Sequence, residues 1–479
     1  MTLGIGLIIP RLFIVSFGSE VNGFINSMNQ VFMYVALLEA GVGATSLQAL
    51  YAPVDKQDQN KINGIISATN YFYNKTGLLY LLAVVVLALV YPLLVSSELP
   101  YYLMATIVGI AGFSGALPYF LQAKYKILLQ AEGKEYILAA VATLQSIVLS
   151  GGKVVLLLLG CDVIVVQSVY LIVNLLVSLF FIIYVKKNYP WINLRAEPDL
   201  DAISQKNAVL VHQVSTLIFN NTDILLLTFF CDLKTVSIYV LYKNFIGMIS
   251  TLLNNFLSSP GFVLGQSFSD RERFIRLNDV YETFHISMTF ALCTIAYLFI
   301  TPFMTLYTAG MDTNYLIPHF PLLMILAEVL NYGRMPALNI ASYAGHFKQT
   351  QWRSVLESAI NLVFSLVLVK LCGINGVVIG TILALLYRTN DMIFYSNKTI
   401  LRRSPWRSYK VWLINIVFSA GVSVLFNMIP MRLNNYVEII LGAIIMCVVI
   451  VPLQILAGYS INPRVAKETF EIARKLIKR

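Results

Sequence analysis

Charge is scarce in this chain. Only 12% of its 479 residues are Asp, Glu, Lys or Arg, about half of the ~25% found in soluble domains, so a water-exposed globule with an ordinary surface is excluded. Cysteine is rare as well: Cys161, Cys231, Cys293, Cys372 and Cys447 stand isolated, a spacing that suits neither a disulfide framework nor a zinc site. Four histidines, spread along the chain, form no metal constellation. None of them sits beside a carboxylate in a recognisable catalytic motif, and no gap on one side of the implied membrane is long enough to fold an outer catalytic loop. The sequence therefore predicts no enzyme, no metal and no cofactor.

Apolar residues fill the space that charge leaves. They make up 58% of the chain, in fourteen runs of helix length, each near the roughly 20 residues that span a bilayer. The runs are 2–17, 31–50, 76–95, 101–122, 136–159, 163–185 and 209–230, then 235–257, 284–307, 321–343, 354–371, 375–395, 411–429 and 437–458. The reading is an all-α polytopic membrane protein of about 14 transmembrane helices. The first run begins at residue 2 and is short, which predicts a truncated first helix.

Lys and Arg alternate between the gaps. Twenty-six of the 34 occupy every second gap and the tail, and three (Lys234, Lys370 and Arg432) occupy the others. Positive charge stays cytoplasmic, so both termini and the loops at Lys56–Lys61, Arg271–Arg276 and Arg402–Arg407 are predicted to be cytoplasmic. The pI near 9.2 does not imply nucleic acid, because the charge is divided among short loops beside anionic lipid; membrane lipids are the expected surroundings. The tail interleaves Val465, Phe470, Ala473, Leu476 and Ile477 with cations, as an amphipathic surface helix or a solvated one.

A repeat is present. Shifted by 212 positions, Gly133 falls on Gly345, Leu144 on Leu356 and Ser146 on Ser358, so runs five and six echo runs eleven and twelve. A repeat after six spans keeps its orientation, and transporters built this way place the substrate between halves. The expected organisation is an N-lobe at 1–187, a cytoplasmic linker at 188–208, a C-lobe at 209–397, two further helices at 411–458 and a basic tail at 460–479. The lobes are expected to be pseudo-symmetric six-helix bodies.

Five cations fall inside the apolar runs: Arg11, Lys153, Lys243, Arg334 and Arg388. Four acids join them: Glu39, Asp223, Glu328 and Glu357. A charge at the bilayer centre costs about 2.5–3.5 kcal/mol on insertion scales, so such residues face a protein interior or a wet cavity. At ~1.5 Å rise per residue, Arg11, Lys153, Asp223 and Lys243 lie toward the outer surface, and Arg334, Arg388 and Glu357 lie deeper. The cations are candidates for binding an anionic substrate, because guanidinium matches phosphate oxygens. The acids are candidates for ion coupling or ion pairing. Other readings stay open: Lys153 snorkelling outward, Glu357 as a first-turn acid, and Lys243 with Asp223 as a structural pair. Pro10, Pro118 and Pro336 interrupt runs and are hinge candidates.

The segments IPRLFIVSFGSEVNGFINSMNQV (9–31), LLEAGVGATSLQALYAP (37–53), NNTDILLL (220–227), TVSIYVLYKNF (235–245) and GINGVVIGTI (373–382) resemble, in order, bacterial polysaccharide flippases. These are the O-antigen and capsule repeat-unit flippases of the multidrug/oligosaccharidyl-lipid/polysaccharide (MOP) exporter superfamily. The resemblance implies two six-helix lobes around a V-shaped cavity, alternating access, and a place in the bacterial cytoplasmic membrane. It implies export of an undecaprenyl-pyrophosphate-linked oligosaccharide, with a polysaccharide polymerase and glycosyltransferases as partners. Cations on the first and eighth helices line the cavity of related flippases, and Arg11 and Lys243 occupy those helices here. Rival functions are a peptidoglycan-precursor flippase, a multidrug/cation antiporter of the same superfamily, and a membrane-embedded glycan polymerase or acyltransferase.

Overall fold

The computed structural model describes residues 2–39, 41–203, 217, 221–257, 260–428, 433–460 and 465–469. The start of the expected seventh run, most of the basic tail with its amphipathic reading, Lys206 and Arg432 lie outside the described residues.

The described residues form helices, most of them joined by short links, with a longer non-helical stretch following Asn188. In chain order these are α1 (Thr2–Val35), α2 (Val42–Asp55), α3 (Gln59–Leu94), α4 (Tyr101–Leu121), α5 (Ala123–Ala131), α6 (Glu135–Leu158) and α7 (Val163–Asn188). Then come α8 (Asn221–Phe230), α9 (Leu233–Leu257), α10 (Gly261–Ser267), α11 (Arg271–Tyr307), α12 (Phe320–Gly333) and α13 (Met335–Tyr343). The last four are α14 (Phe347–Cys372), α15 (Ile374–Tyr395), α16 (Trp406–Met428) and α17 (Tyr436–Ser460). Eleven helices among the described residues are long and apolar enough to cross a membrane.

Three of the fourteen expected runs account for the difference. The second is divided: 31–39 continue the first run in one apolar stretch, Gly6–Glu39, which turns at Gly18, where φ is 88° and ψ 164°, and the remainder lies in the 14-residue α2. The seventh is described mainly as the short α8. The tenth is split at Arg334 into α12 and α13.

Several helices start earlier than hydropathy places them. The third begins at 59 rather than 76, the ninth at 271 rather than 284, the eleventh at 347 rather than 354 and the thirteenth at 406 rather than 411. The added turns are polar, so an apolar window misses them. Capping explains two of the starts: Asp58 accepts from Lys61 N at 3.1 Å and Asp270 accepts from Arg273 N at 3.1 Å, each satisfying an orphan amide of a first turn. At ~1.5 Å per residue, helices of this length exceed a hydrocarbon core of about 30 Å, and their charged ends project from it.

Two compact units divide the chain, 1–237 and 238–479. The division falls inside α9, beyond the linker 188–208. The first unit keeps α8, because Tyr34 bonds Thr222 at 3.1 Å and Ser27 bonds Thr228 at 2.5 Å. Its core centres on Phe24, Ile66, Tyr73, Ile107, Leu128 and Phe181. The start of α9 closes on α1 at Gly23, where a Cβ would stand 1.8 Å from Leu233 O.

The second unit is built around α11. Helices α16 and α17 share its core through Ile295, Phe299, Ile439 and Ile450, so these two C-terminal helices are integral to the unit. Trp412 of α16 packs on Phe290 with ring centroids 5.5 Å apart and lies against Gly333 at the α12–α13 break, where a Cβ would stand 2.4 Å from its ring.

Helices α6 and α14 begin at Glu135 and Phe347, 212 positions apart as the repeat requires. Each follows a left-handed glycine, Gly133 (φ 71°) and Gly345 (φ 69°), a conformation that glycine adopts without steric penalty.

Candidate functional site

The break between α12 and α13 places Arg334 at the end of one helix and the start of the next. There it meets two charged residues from α14 and α15. Arg334 Nη1 pairs with Glu357 Oε1 and its Nη2 donates to Asn331 Oδ1 at 3.0 Å. Arg388 Nε lies 3.5 Å from Glu357 Oε2, its Nη2 donates to Ser354 Oγ at 3.0 Å, and its Nη1 lies 3.8 Å from Asp391 Oδ2. Asp391 Oδ1 is held by Arg353 Nη1. The Arg353 guanidinium stacks 4.5 Å from the Tyr395 ring, whose hydroxyl bonds His346 Nδ1 at 2.9 Å.

The structure thus joins Arg334, Arg388 and Glu357, three of the residues singled out by sequence, and adds Arg353 and Asp391. The side chains of Arg388, Glu357 and Arg334 are only 5%, 8% and 9% exposed. Burying charges is tolerable here because each has an opposite charge in reach; in such a network desolvation roughly offsets attraction, and removing one member leaves an uncompensated charge. Three arginines against two carboxylates leave one formal positive charge. Asp391 stands three residues after Arg388, a helical ion-pair spacing that is visible in sequence; Arg353 stands one residue before the run 354–371 and so falls outside the apolar runs.

The other candidates are placed separately. Glu328 on α12 accepts from Ser250 Oγ of α9, and Tyr332 OH donates to Ser250 O at 3.0 Å. Glu39 sits where α1 runs into a short 3-10 turn before Gly41 (φ 91°), and Tyr73 OH donates to it at 2.8 Å. Tyr73 belongs to an aromatic file with Tyr119 and Tyr80, at 6.1 and 5.4 Å between centroids. Asp223 is buried in the first unit, and Lys243 lies in the second with its ammonium 5.8 Å from the Tyr239 ring. Arg11 is half-buried in α1. Lys153 is half-buried in α6 and has no hydrogen bond or ion pair among the described residues.

Of the prolines, Pro336 lies in the first turn of α13 directly after the Arg334 break, and Pro118 lies before the α4–α5 junction, where Gln122 N still donates to Pro118 O at 3.1 Å. Pro10 is inside α1, whose non-helical residue is Gly18. Among the described residues no cluster of three or more His, Cys, Asp or Glu could hold a metal ion.

No family model matches the sequence, and no curated protein matches it. The fold does match solved structures. Lipid II flippase MurJ in an inward closed conformation superposes with a TM-score of 0.69 at 15% identity, over 96% of this chain and 97% of that one. An inward-facing multidrug resistance MATE family transporter of the MOP superfamily gives 0.67 at 15% identity, over 85% of this chain and 95% of that one. A MATE in the bent conformation gives 0.51 at 14% identity, over 87% and 95%. At such identities the likeness is one of fold: this chain is a multi-pass membrane protein with the MOP-type all-helical fold.

Proposed function

We propose that this protein is a flippase that moves an undecaprenyl-pyrophosphate-linked oligosaccharide repeat unit across the bacterial cytoplasmic membrane by alternating access, for surface polysaccharide synthesis. The observation that carries the reading is the almost complete two-way overlap with the fold of a lipid II flippase, 96% and 97% of the two chains, in a chain that keeps cations inside its membrane-spanning helices. A lipid-linked substrate suits such a fold. Its polar head would travel through protein while the polyprenyl chain stayed in lipid, which avoids stripping roughly 0.8 kcal/mol of burial per methylene.

The cations divide by surroundings. Arg334 and Arg388 hold Glu357, and Arg388 also flanks Asp391 with Arg353; the first duty of this pair is to keep α12–α15 together. Lys153, with no ion-pair partner among the described residues, is the cation we assign to the pyrophosphate, together with Arg11 and Lys243. Lysine offers a point charge rather than a fork, so phosphate contact at Lys153 and Lys243 would be electrostatic more than bidentate. Glu39 and Glu328 are the carboxylates we assign to coupling.

The test is reconstitution of the full chain in liposomes, with three substrates in parallel: a polyprenyl-pyrophosphate oligosaccharide, lipid II and a cationic drug. Translocation is read by a membrane-impermeant reagent. The expected result is movement of the oligosaccharide lipid, lost in Lys153→Gln and kept in Lys153→Arg. Movement of lipid II alone would assign the protein to peptidoglycan precursors, and drug efflux alone to antiport.

A further inference from the structure

We propose that a small cavity where the start of α16 and the end of α17 meet the side of α11 at Thr283 binds the phosphate of an anionic phospholipid headgroup. It measures about 270 Å³ and is lined by Thr283, Trp406, Arg407, Lys410, Tyr459 and Val465 among others. That volume is below the ~300–1,000 Å³ of pockets for drug-sized ligands. It suits a phosphodiester with its glycerol and excludes an oligosaccharide.

The charge is arranged for an anion. Arg407 and Lys410 are three residues apart on α16, so they share a face. Arg407 Nη1 is bonded to Asp279 Oδ2 at 2.7 Å, and its remaining N–H groups make no hydrogen bond among the described residues; a guanidinium carries five. Lys410 is exposed and has no hydrogen bond or ion pair among the described residues. The nearby carboxylates already have a partner in Arg403, 2.5 Å from Asp279 and 3.5 Å from Glu282. Glu468, within electrostatic reach of Arg407, is preceded by Lys467. Counted together, the cations at 403, 407, 410 and 467 exceed the acids at 279, 282 and 468 by one.

The surroundings favour a lipid over a soluble phosphate. Trp406, Lys410, Leu413 and Val417 follow at spacings of four, three and four, one stripe of α16. The apolar members are exposed by 59%, 58% and 62%. A tryptophan at the rim, a lysine below it and a bare aliphatic track beyond match an interfacial anchor, a headgroup and its acyl chains. Lys398, Arg402 and Arg403 add to the pair in the richest cationic gap of the chain, a pattern that draws anionic lipid.

Native mass spectrometry of the intact protein, loaded with dioleoylphosphatidylglycerol or dioleoylphosphatidylcholine, tests this. We expect one retained phosphatidylglycerol and little phosphatidylcholine. Lys410→Gln should lower the retained fraction about fivefold, the worth of one cation at an anionic surface. Lys56→Gln, on a loop of the first unit, should change nothing. Arg407→Gln provides a second variant inside the cavity. Equal retention of the two lipids, an unaffected Lys410→Gln protein, or equal losses in Lys410→Gln and Lys56→Gln would overturn the site. Full displacement by glycerol 3-phosphate would reassign it to a soluble phosphate and overturn the lipid.

Discussion

Glu357 shows how a single buried carboxylate organises its neighbours. It meets Arg334 through one oxygen and Arg388 through the other, from two different helices. Truncating Arg334 to Ala leaves the carboxylate half-compensated, and breaking such a buried pair costs about 3–5 kcal/mol. The expected outcome is a lower melting temperature in detergent and less protein in the membrane for Arg334→Ala. Adding Glu357→Gln should recover much of the loss, because the stranded charge goes with it. A single variant that melts like the wild type and fails only in transport would instead put Arg334 in contact with substrate.

At the scale of elements, α14 and α15 form the most intimate pair. A Cβ at Gly380 would stand 2.5 Å from Ser365 N, and one at Gly376 would stand 2.0 Å from Leu368 O. The two glycines are four residues apart, the small-residue spacing that lets membrane helices approach. Gly380→Val should push the pair apart and destabilise it by about 1–3 kcal/mol, as overpacking does, with a matching fall in melting temperature; Gly109→Val, where the Cβ meets nothing within 4 Å, is the control.

The link from α5 to α6 carries a pH-sensitive contact. Lys134 Nζ donates to Tyr189 OH at 2.6 Å and lies 2.9 Å from Glu132 Oε2, and Tyr189 OH donates to Glu132. The hydrogen bonds to Tyr189 and Glu132 raise the Lys134 pKa. Burial, with the Glu132 bond, pushes Tyr189 from its ordinary value of 10 up to about 12. Both groups hold their protons more tightly when folded, so their contribution is complete below pH 10 and fades as pH rises toward 12. Hydrogen exchange at residues 132–135 should accelerate between pH 10 and 12, and Tyr189→Phe should flatten that rise.

For the molecule as a whole, the charge partition makes a directional claim. An impermeant thiol reagent applied outside, with the native cysteines replaced, should label Glu98→Cys and Asp312→Cys. It should miss Lys56→Cys and Arg402→Cys, whose cationic neighbours place them on the cytoplasmic side if the positive-inside rule holds for this chain. Labelling at residue 402 from outside would invert the orientation.

Hydrophobicity by itself determined that the chain is an all-helical, polytopic membrane protein, because a bilayer leaves only helices or closed barrels and each helix needs its own apolar run. Spacing along one chain was also enough to pick out the offset of 212 that separates the starts of α6 and α14 and the expense of Arg334, Arg388 and Glu357 in lipid. The polar first turns of α3 and α11 escaped because an apolar window ignores caps such as Asp58 and Asp270, although those caps were readable. Only the tertiary structure decided that Arg334 and Arg388 share Glu357, that Tyr73 serves Glu39, and that Trp412 fills the space at Gly333. These contacts join α12 to α14 and α15, α3 to the α1 turn, and α16 to α12. Partners so distant in sequence meet by packing geometry, which no local pattern of residues encodes.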